Sequence, residues 1–139
     1  LRVDKLTYAA IEKQLILLLT ERWDEVPTWR MLYATQGELK NRAVKFRSYL
    51  PEVIRPFVDV VESRAKVGGG TTPEQELPSI ALSLSHPSHS TDKLSRTFRN
   101  VKPPVIGRID NDRFLLDMRT ILDDDLPTLN EHVRAIYPS

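Results

Sequence analysis

Apolar residues in the first third of the chain recur at helical spacing. Leu6, Ala10 and Leu17 fall together with Ile11, Leu15 and Leu18, while Glu12, Lys13 and Gln14 form a polar patch. Asp4 is placed to cap the start, and the helix is expected to end near Arg22. Pro27 suits the first turn of a short second helix. Thr35-Gln36-Gly37-Glu38 has the spacing of a capping box, with Thr35 as cap and Glu38 returning to it. The helix it opens presents Leu39, Ala43 and Phe46 on one side, and Pro51 and Pro56 bracket its exit.

The period then changes from helical to alternating. The run Phe57 to Ala65 alternates around Val58, Asp59 and Val60, and in Ser79 to Ser85 the residues Ile80, Leu82 and Leu84 alternate with Ala81, Ser83 and Ser85. The serine side of that second run is either solvated or packed on a neighbour. Ser90 or Thr91 caps a helix carrying Leu94 and Phe98, and Pro103-Pro104 ends that segment. Val105 to Ile109 reads as a third strand, Asp110-Asn111-Asp112 as a turn, and Arg113 to Arg119 as a fourth strand. Leu129, Val133 and Ile136 mark a last helix after Pro127. This order predicts an α+β fold: N-terminal helices, then a small, mostly antiparallel four-stranded sheet in the order ββαββα, with helices on one face. Residues 1–50 are expected to be linking helices and residues 51–139 a small C-terminal domain.

Between the first two strand-like runs lies Val67-Gly68-Gly69-Gly70-Thr71-Thr72-Pro73-Glu74-Gln75-Glu76-Leu77-Pro78. A tight hairpin needs only two to five connecting residues. Gly68, Gly69 and Gly70 are easy to bring against another surface, and Pro73 and Pro78 stiffen the rest of the loop. The loop is either a mobile connector or a segment placed against a ligand or partner.

Composition narrows the function classes. The 139 residues fit one domain. Twenty basic against nineteen acidic residues leave a net charge of +1, so there is no overall basic field of the kind that marks a nucleic-acid binder. The absence of cysteine excludes disulfides, thiolate chemistry and zinc–cysteine sites. The apolar run Leu15 to Leu19 is too short to cross a bilayer, and nothing at the start reads as a signal peptide. The chain opens without an initiator methionine, so it is expected to be part of a longer protein.

Candidate chemistry is sparse. His86 and His89 form an H-x-x-H pair in a Pro-Ser loop with no third ligand nearby, and read as two solvated loop histidines. Asp123-Asp124-Asp125 lacks the spaced oxygens of a calcium loop and favours the start of the last helix instead. Neither is expected to hold a metal. Arg108 and Arg119 lie within or at the end of otherwise apolar strands, where a guanidinium is placed to fork onto a carboxylate or phosphate. An internal salt bridge, for example to Asp117 or Glu62, is the equally available alternative.

Five segments in order carry a family resemblance. They are Leu1-Arg2-Val3-Asp4-Lys5-Leu6-Thr7, Gly68-Gly69-Gly70, Glu76-Leu77-Pro78-Ser79, Pro104-Val105-Ile106-Gly107-Arg108-Ile109 and Leu116-Asp117-Met118-Arg119-Thr120. Together they resemble the C-terminal part of bacterial selenocysteine synthase, the L-seryl-tRNA(Sec) selenium transferase family, over essentially the whole chain. The resemblance implies the small C-terminal domain of an aspartate-aminotransferase-like (fold-type I) enzyme that uses pyridoxal phosphate. It implies conversion of seryl-tRNA(Sec) to selenocysteinyl-tRNA(Sec) with selenophosphate, by a homo-oligomeric cytoplasmic parent with no membrane attachment. Related lyases acting on sugar-acid phosphates share much of this pattern, and a non-catalytic α+β domain for binding or oligomer assembly is the alternative of a different class.

The family's Schiff-base lysine sits in a Gly-Asp-Lys-Leu-Leu-Gly-Gly-Pro-like motif that this chain lacks, and Lys5 does not match it. No catalytic residue is therefore expected here, and the chain alone is expected to be inactive. By the resemblance, Arg2 is the second member of an Arg-x-Leu-Arg pair contributing to an anion pocket for the selenium donor. Arg119 resembles the small-domain arginine that holds a substrate carboxylate in many enzymes of this fold, with Arg108 behind it as a third anion-binding candidate. Gly68, Gly69 and Gly70 are the active-site loop candidates, ordered against the large domain or a neighbouring subunit.

Overall fold

A computed structural model describes residues 3–67 and 76–137. The chain clusters into two compact units, Leu1–Ala34 and Thr35–Ser139.

In the first unit, α1 (Lys5–Leu19) follows Asp4, and α2 (Pro27–Tyr33) begins on the proline expected to start it. Thr20 closes α1 by returning its amide to Ile16 and Leu18, and a single 3-10 turn, Trp23–Glu25, joins the two helices. Trp23 and Trp29 both pack on Tyr33, at ring-centroid distances of 4.9 and 5.7 Å. The apolar side of α1 departs from expectation. Only Leu17 is buried, while Leu6, Ile11, Leu15 and Leu18 are exposed. A unit of this size has too little mass to cover both sides of a helix.

The second unit opens with the predicted capping box. Thr35 accepts from the Glu38 amide at 3.3 Å, and the Glu38 carboxylate accepts from the Thr35 amide at 2.8 Å. The Thr35 amide, and the Thr35 hydroxyl that also donates to the carboxylate at 2.8 Å, hold the Glu38 carboxyl below its ordinary pKa. Helix α3 (Gln36–Ser48) buries Leu39, Ala43 and Phe46, as its spacing requires. Arg47 then donates to the Val58 carbonyl at 2.6 Å and to the Arg55 carbonyl at 3.2 Å, fixing the turn between α3 and the sheet.

Strands β1 (Val58–Lys66) and β2 (Glu76–Leu84) form a long antiparallel hairpin, in register from Val58↔Leu84 to Lys66↔Glu76. Strand β4 (Arg113–Asp117) pairs with β2, and β3 (Arg108–Asp110) pairs with β4, giving the order β1-β2-β4-β3. Helix α4 (Thr91–Asn100) packs on β3 and β4, with Phe98 5.3 Å from Phe114, and α3 packs on β1 and β2. Ser90 caps α4 through the Lys93 amide. Helix α5 (Leu126–Ile136) buries Leu129 and Val133, and Tyr137 at its end donates to the Ser85 carbonyl at 2.6 Å. Burial raises the Tyr137 hydroxyl well above its ordinary pKa. The architecture is the expected helices followed by a four-stranded antiparallel sheet.

Two expectations about the sheet change, and one left open is decided. The third strand does not begin at Val105: the Val105 amide donates to the Phe98 carbonyl at 2.9 Å, so it terminates α4 instead of joining the ladder. The fourth strand stops at Asp117, because a turn closes from the Thr120 amide to the Asp117 carbonyl. The serine side of β2 is packed, with Ser79 fully buried and Ser83 nearly so. The Asp110 turn is as predicted, with Asn111 and Asp112 at φ 48° and 56°.

Candidate functional site

A polar network ties three strands together at one end of the sheet. Register places Ser63 of β1 opposite Ser79 of β2, and Asp117 of β4 two residues along the same face of β2. The Asp117 carboxylate accepts four bonds. Oδ1 takes the Ser79 hydroxyl at 2.6 Å and the Arg119 amide at 3.0 Å; Oδ2 takes the Ser63 hydroxyl and Arg108 Nη1, both at 3.2 Å. Arg108 Nη2 also donates to Ser63 Oγ, closing a three-membered ring of side chains. A buried carboxylate with every lone pair engaged is rigid, and it fixes the guanidinium that it faces.

The candidate arginines separate at this point. Arg108 is anchored on one edge by Asp117 and Ser63, yet its side chain is 40% exposed. Two of a guanidinium's five donors hold it in place. The internal ion pair to Asp117 that the sequence allowed for Arg108 is present, on one edge of the guanidinium. Arg119 is buried at 6% exposure and donates through Nη2 to the Pro78 carbonyl at 2.7 Å. Burial works against its charge, and the nearby Asp117 works for it. Arg2 and the Gly68–Gly70 loop lie outside the described residues.

Arg108 and Ser63 border an open cleft of about 600 Å³ that also includes Arg64, Lys66, Glu62, Glu76 and Asp110. Three cations face three carboxylates there, and Arg64 pairs with Glu76 at 3.5 Å. The cleft therefore has no net field, and an anion in it would be held by placed donors. It contains neither a thiol nor an imidazole. Such an arrangement can orient a charged group.

The other polar motifs are structural. His86 is half-buried, accepts the Ser88 amide on Nδ1 at 3.1 Å, and lies 3.2 Å from the Ile136 carbonyl through Nε2. That pattern assigns the proton to Nε2. His89 stacks on it at 3.9 Å, and burial, then His86 and Lys93, hold the His89 imidazole below its ordinary pKa. The pair is thus not solvated as the loop composition implied: it clasps the segment after β2 to the end of α5. In the acidic run, Asp123 pairs with Arg42 at 2.9 Å, and Asp125 accepts the Leu122 amide at 3.1 Å, just ahead of α5. Among the described residues, no three His, Asp or Glu side chains are grouped to hold a metal.

The residues present do not fit a covalently attached pyridoxal phosphate. Schiff-base chemistry needs a lysine desolvated or otherwise activated, and all seven lysines are exposed. Mixed with the cofactor, reduced with borohydride and weighed, the 139-residue chain is expected to show no stoichiometric label on any single lysine. One pyridoxyl group per chain at one position would overturn that assignment.

What sequence reasoning missed is the role of Ser63 and Ser79. Their signal was a hydroxyl on each of two paired strands, two residues along the same face from the position opposite Asp117, and it becomes legible only once the register is known.

Comparison with known proteins finds relatives of the chain. Residues 1–122 match the family model described as L-seryl-tRNA selenium transferase. The chain is 40% identical over 136 residues to the L-seryl-tRNA(Sec) selenium transferase of Sulfurimonas denitrificans, covering 98% of this chain and 29% of that protein. It is 35% identical over 136 residues to the protein of that name from Aquifex aeolicus, covering 98% and 30%. With the one from Aliarcobacter butzleri the figures are 37% over 139 residues, 100% and 30%. The chain thus spans about three tenths of the length of these curated relatives.

Proposed function

The chain belongs to the L-seryl-tRNA selenium transferase family, and from that premise we propose that it is the C-terminal part of an enzyme converting seryl-tRNA(Sec) to selenocysteinyl-tRNA(Sec) with selenophosphate. The observation that carries this reading is the match over nearly the whole chain to relatives of that name. Pyridoxal phosphate, and the lysine that holds it, belong to the parent outside this chain. The parent acts in the cytoplasm as a homo-oligomer. Residues 51–139 act as the small domain of a fold-type I enzyme, with the preceding helices as the link.

The chain's own contribution is placement of charge. Arg2 takes an oxyanion of the selenium donor, as the family resemblance implies. Arg108 supports the reading of the cleft as an anion-orienting edge, since Asp117 and Ser63 fix its head while part of it stays exposed. Arg119, whose Nη2 is committed to the Pro78 carbonyl, shapes the strand end beneath it.

The test is the full-length enzyme carrying this chain, given seryl-tRNA(Sec) and selenophosphate. Selenocysteinyl-tRNA(Sec) is the expected product, and its absence from an assay in which a relative is active would overturn the reading. Arg2→Ala is expected to slow the transfer by about ten- to a hundredfold, the value of one charge-assisted hydrogen bond. Folding and cofactor content should be unchanged. Wild-type turnover in that variant, or loss through unfolding alone, would remove Arg2 from the site.

A further inference from the structure

Helix α4 has two chemically opposite sides. Leu94 and Phe98 are buried against the sheet. Arg96 lies roughly 180° around the helix from them at 3.6 residues per turn, flanked by Lys93 and Arg99. Lys102 continues the series just past the helix end, and all four side chains are exposed. Between residues 91 and 102 there are four cations and one carboxylate, Asp92, a net of +3; the whole chain is +1, so the rest nets −2. The positive charge is therefore concentrated locally, although the total is almost neutral.

These cations are also uncommitted. The ion pairs among the described residues involve Arg22, Arg42, Arg55, Arg64 and Arg108, and none of Lys93, Arg96, Arg99 and Lys102. Helix α3 is comparably basic, but there Arg42 is bound to Asp123 and the Met118 carbonyl, and Arg47 to the Val58 carbonyl. On α4, Lys93, Arg96 and Arg99 form an i, i+3 row inclined about 45° to the axis. Such a row presents successive cations to a run of phosphates, and guanidinium forks suit phosphate oxygens.

We propose that the exposed face of α4, with Lys93, Arg96, Arg99 and Lys102, docks the phosphate backbone of the RNA substrate. This rests on the reading of the parent as a tRNA enzyme and gives this chain a share in holding the RNA. The contact positions the RNA and reads no bases.

The test uses the full-length enzyme and an uncharged tRNA(Sec) transcript, with affinity followed by fluorescence anisotropy from low to moderate KCl. Wild type is compared with K93Q/R96Q/R99Q/K102Q, in which glutamine keeps the helix propensity, and with K13Q/R30Q/K40Q/K45Q, which removes equal charge elsewhere. The α4 variant is expected to bind roughly 30-fold more weakly near 0.1 M salt and to lose about 3.6 units of log–log salt slope, roughly 0.9 for each of the four cations removed. The control variant should track wild type. Equal weakening in both variants, or an unchanged slope in the α4 variant, overturns the proposal. So does retained tRNA binding together with lost binding of a polyglutamate peptide, which would assign the face to an acidic protein. Seryl-tRNA conversion by the wild type is measured separately. If tRNA binds through α4 without conversion, the assigned reaction fails and the docking face stands.

Discussion

Gly107→Ala is expected to lower the stability of the Thr35–Ser139 unit by about 3 kcal/mol, roughly 10 °C in Tm for a chain of this size. A Cβ at Gly107 would lie 2.5 Å from Phe114 Cε2 and 2.6 Å from both Phe114 Cζ and the Leu115 carbonyl oxygen. Phe114 is fully buried against Phe98 and has nowhere to turn, and the Leu115 oxygen belongs to the backbone of β4. The strain must therefore be relieved by moving β3 away from β4, which loosens the Arg108↔Leu115 pairing. Gly37 supplies the contrast. Nothing lies within 4 Å of a Cβ there, and the residue sits in α3, so Gly37→Ala should stabilise by about 0.5 kcal/mol. Thermal unfolding followed by circular dichroism reads both signs. A Gly107→Ala protein as stable as wild type would show that β3 does not approach β4 so closely.

Asp117→Ala should be the most damaging change to the polar network, at about 3–5 kcal/mol. Four donors lose their acceptor together, and two of them, the Ser79 hydroxyl and the Arg119 amide, belong to buried residues that water does not reach easily. The Asp117 side chain is itself only 10% exposed. Arg108→Ala should cost clearly less, because the arginine is partly solvated and Asp117 keeps its other three donors. Asp117→Asn should fall between, since an amide oxygen can still accept while the charge is lost. Urea unfolding of the three variants gives the order. Equal losses for Asp117→Ala and Arg108→Ala would mean that the ion pair alone matters and the serines do not.

Local signals were legible where a residue's role depends on near neighbours. Thr35 and Glu38 announced their capping box, Ser90 its helix, and Asn111 and Asp112 their turn. Leu39, Ala43, Phe46, Leu94 and Phe98 are buried where their spacing placed them. Strand limits were harder, because Val105 is apolar and β-branched yet its amide is used by the end of α4. The site was half legible. Arg108 and Asp117 stand nine positions apart across a predicted turn, so their pairing was an available option. Ser63 and Asp117 are separated by 54 positions, and only the β1-β2 and β2-β4 registers bring them together. Apolar periodicity marked α1 correctly as a helix but said nothing about whether anything covers it.

Strand order leaves β1 at a margin of the sheet, with one row of backbone donors and acceptors unclaimed by β2. A nine-residue strand of that kind is a template onto which another chain can add and grow into aggregate. Asp59, Glu62, Arg64 and Lys66 make four of its nine residues charged, so an incoming strand would have to desolvate both signs of charge along its length. These side chains act as gatekeepers for the hairpin, and Glu62, Arg64 and Lys66 also line the cleft beside Arg108. Replacing them with valine or threonine to improve strand propensity would trade solubility for local order.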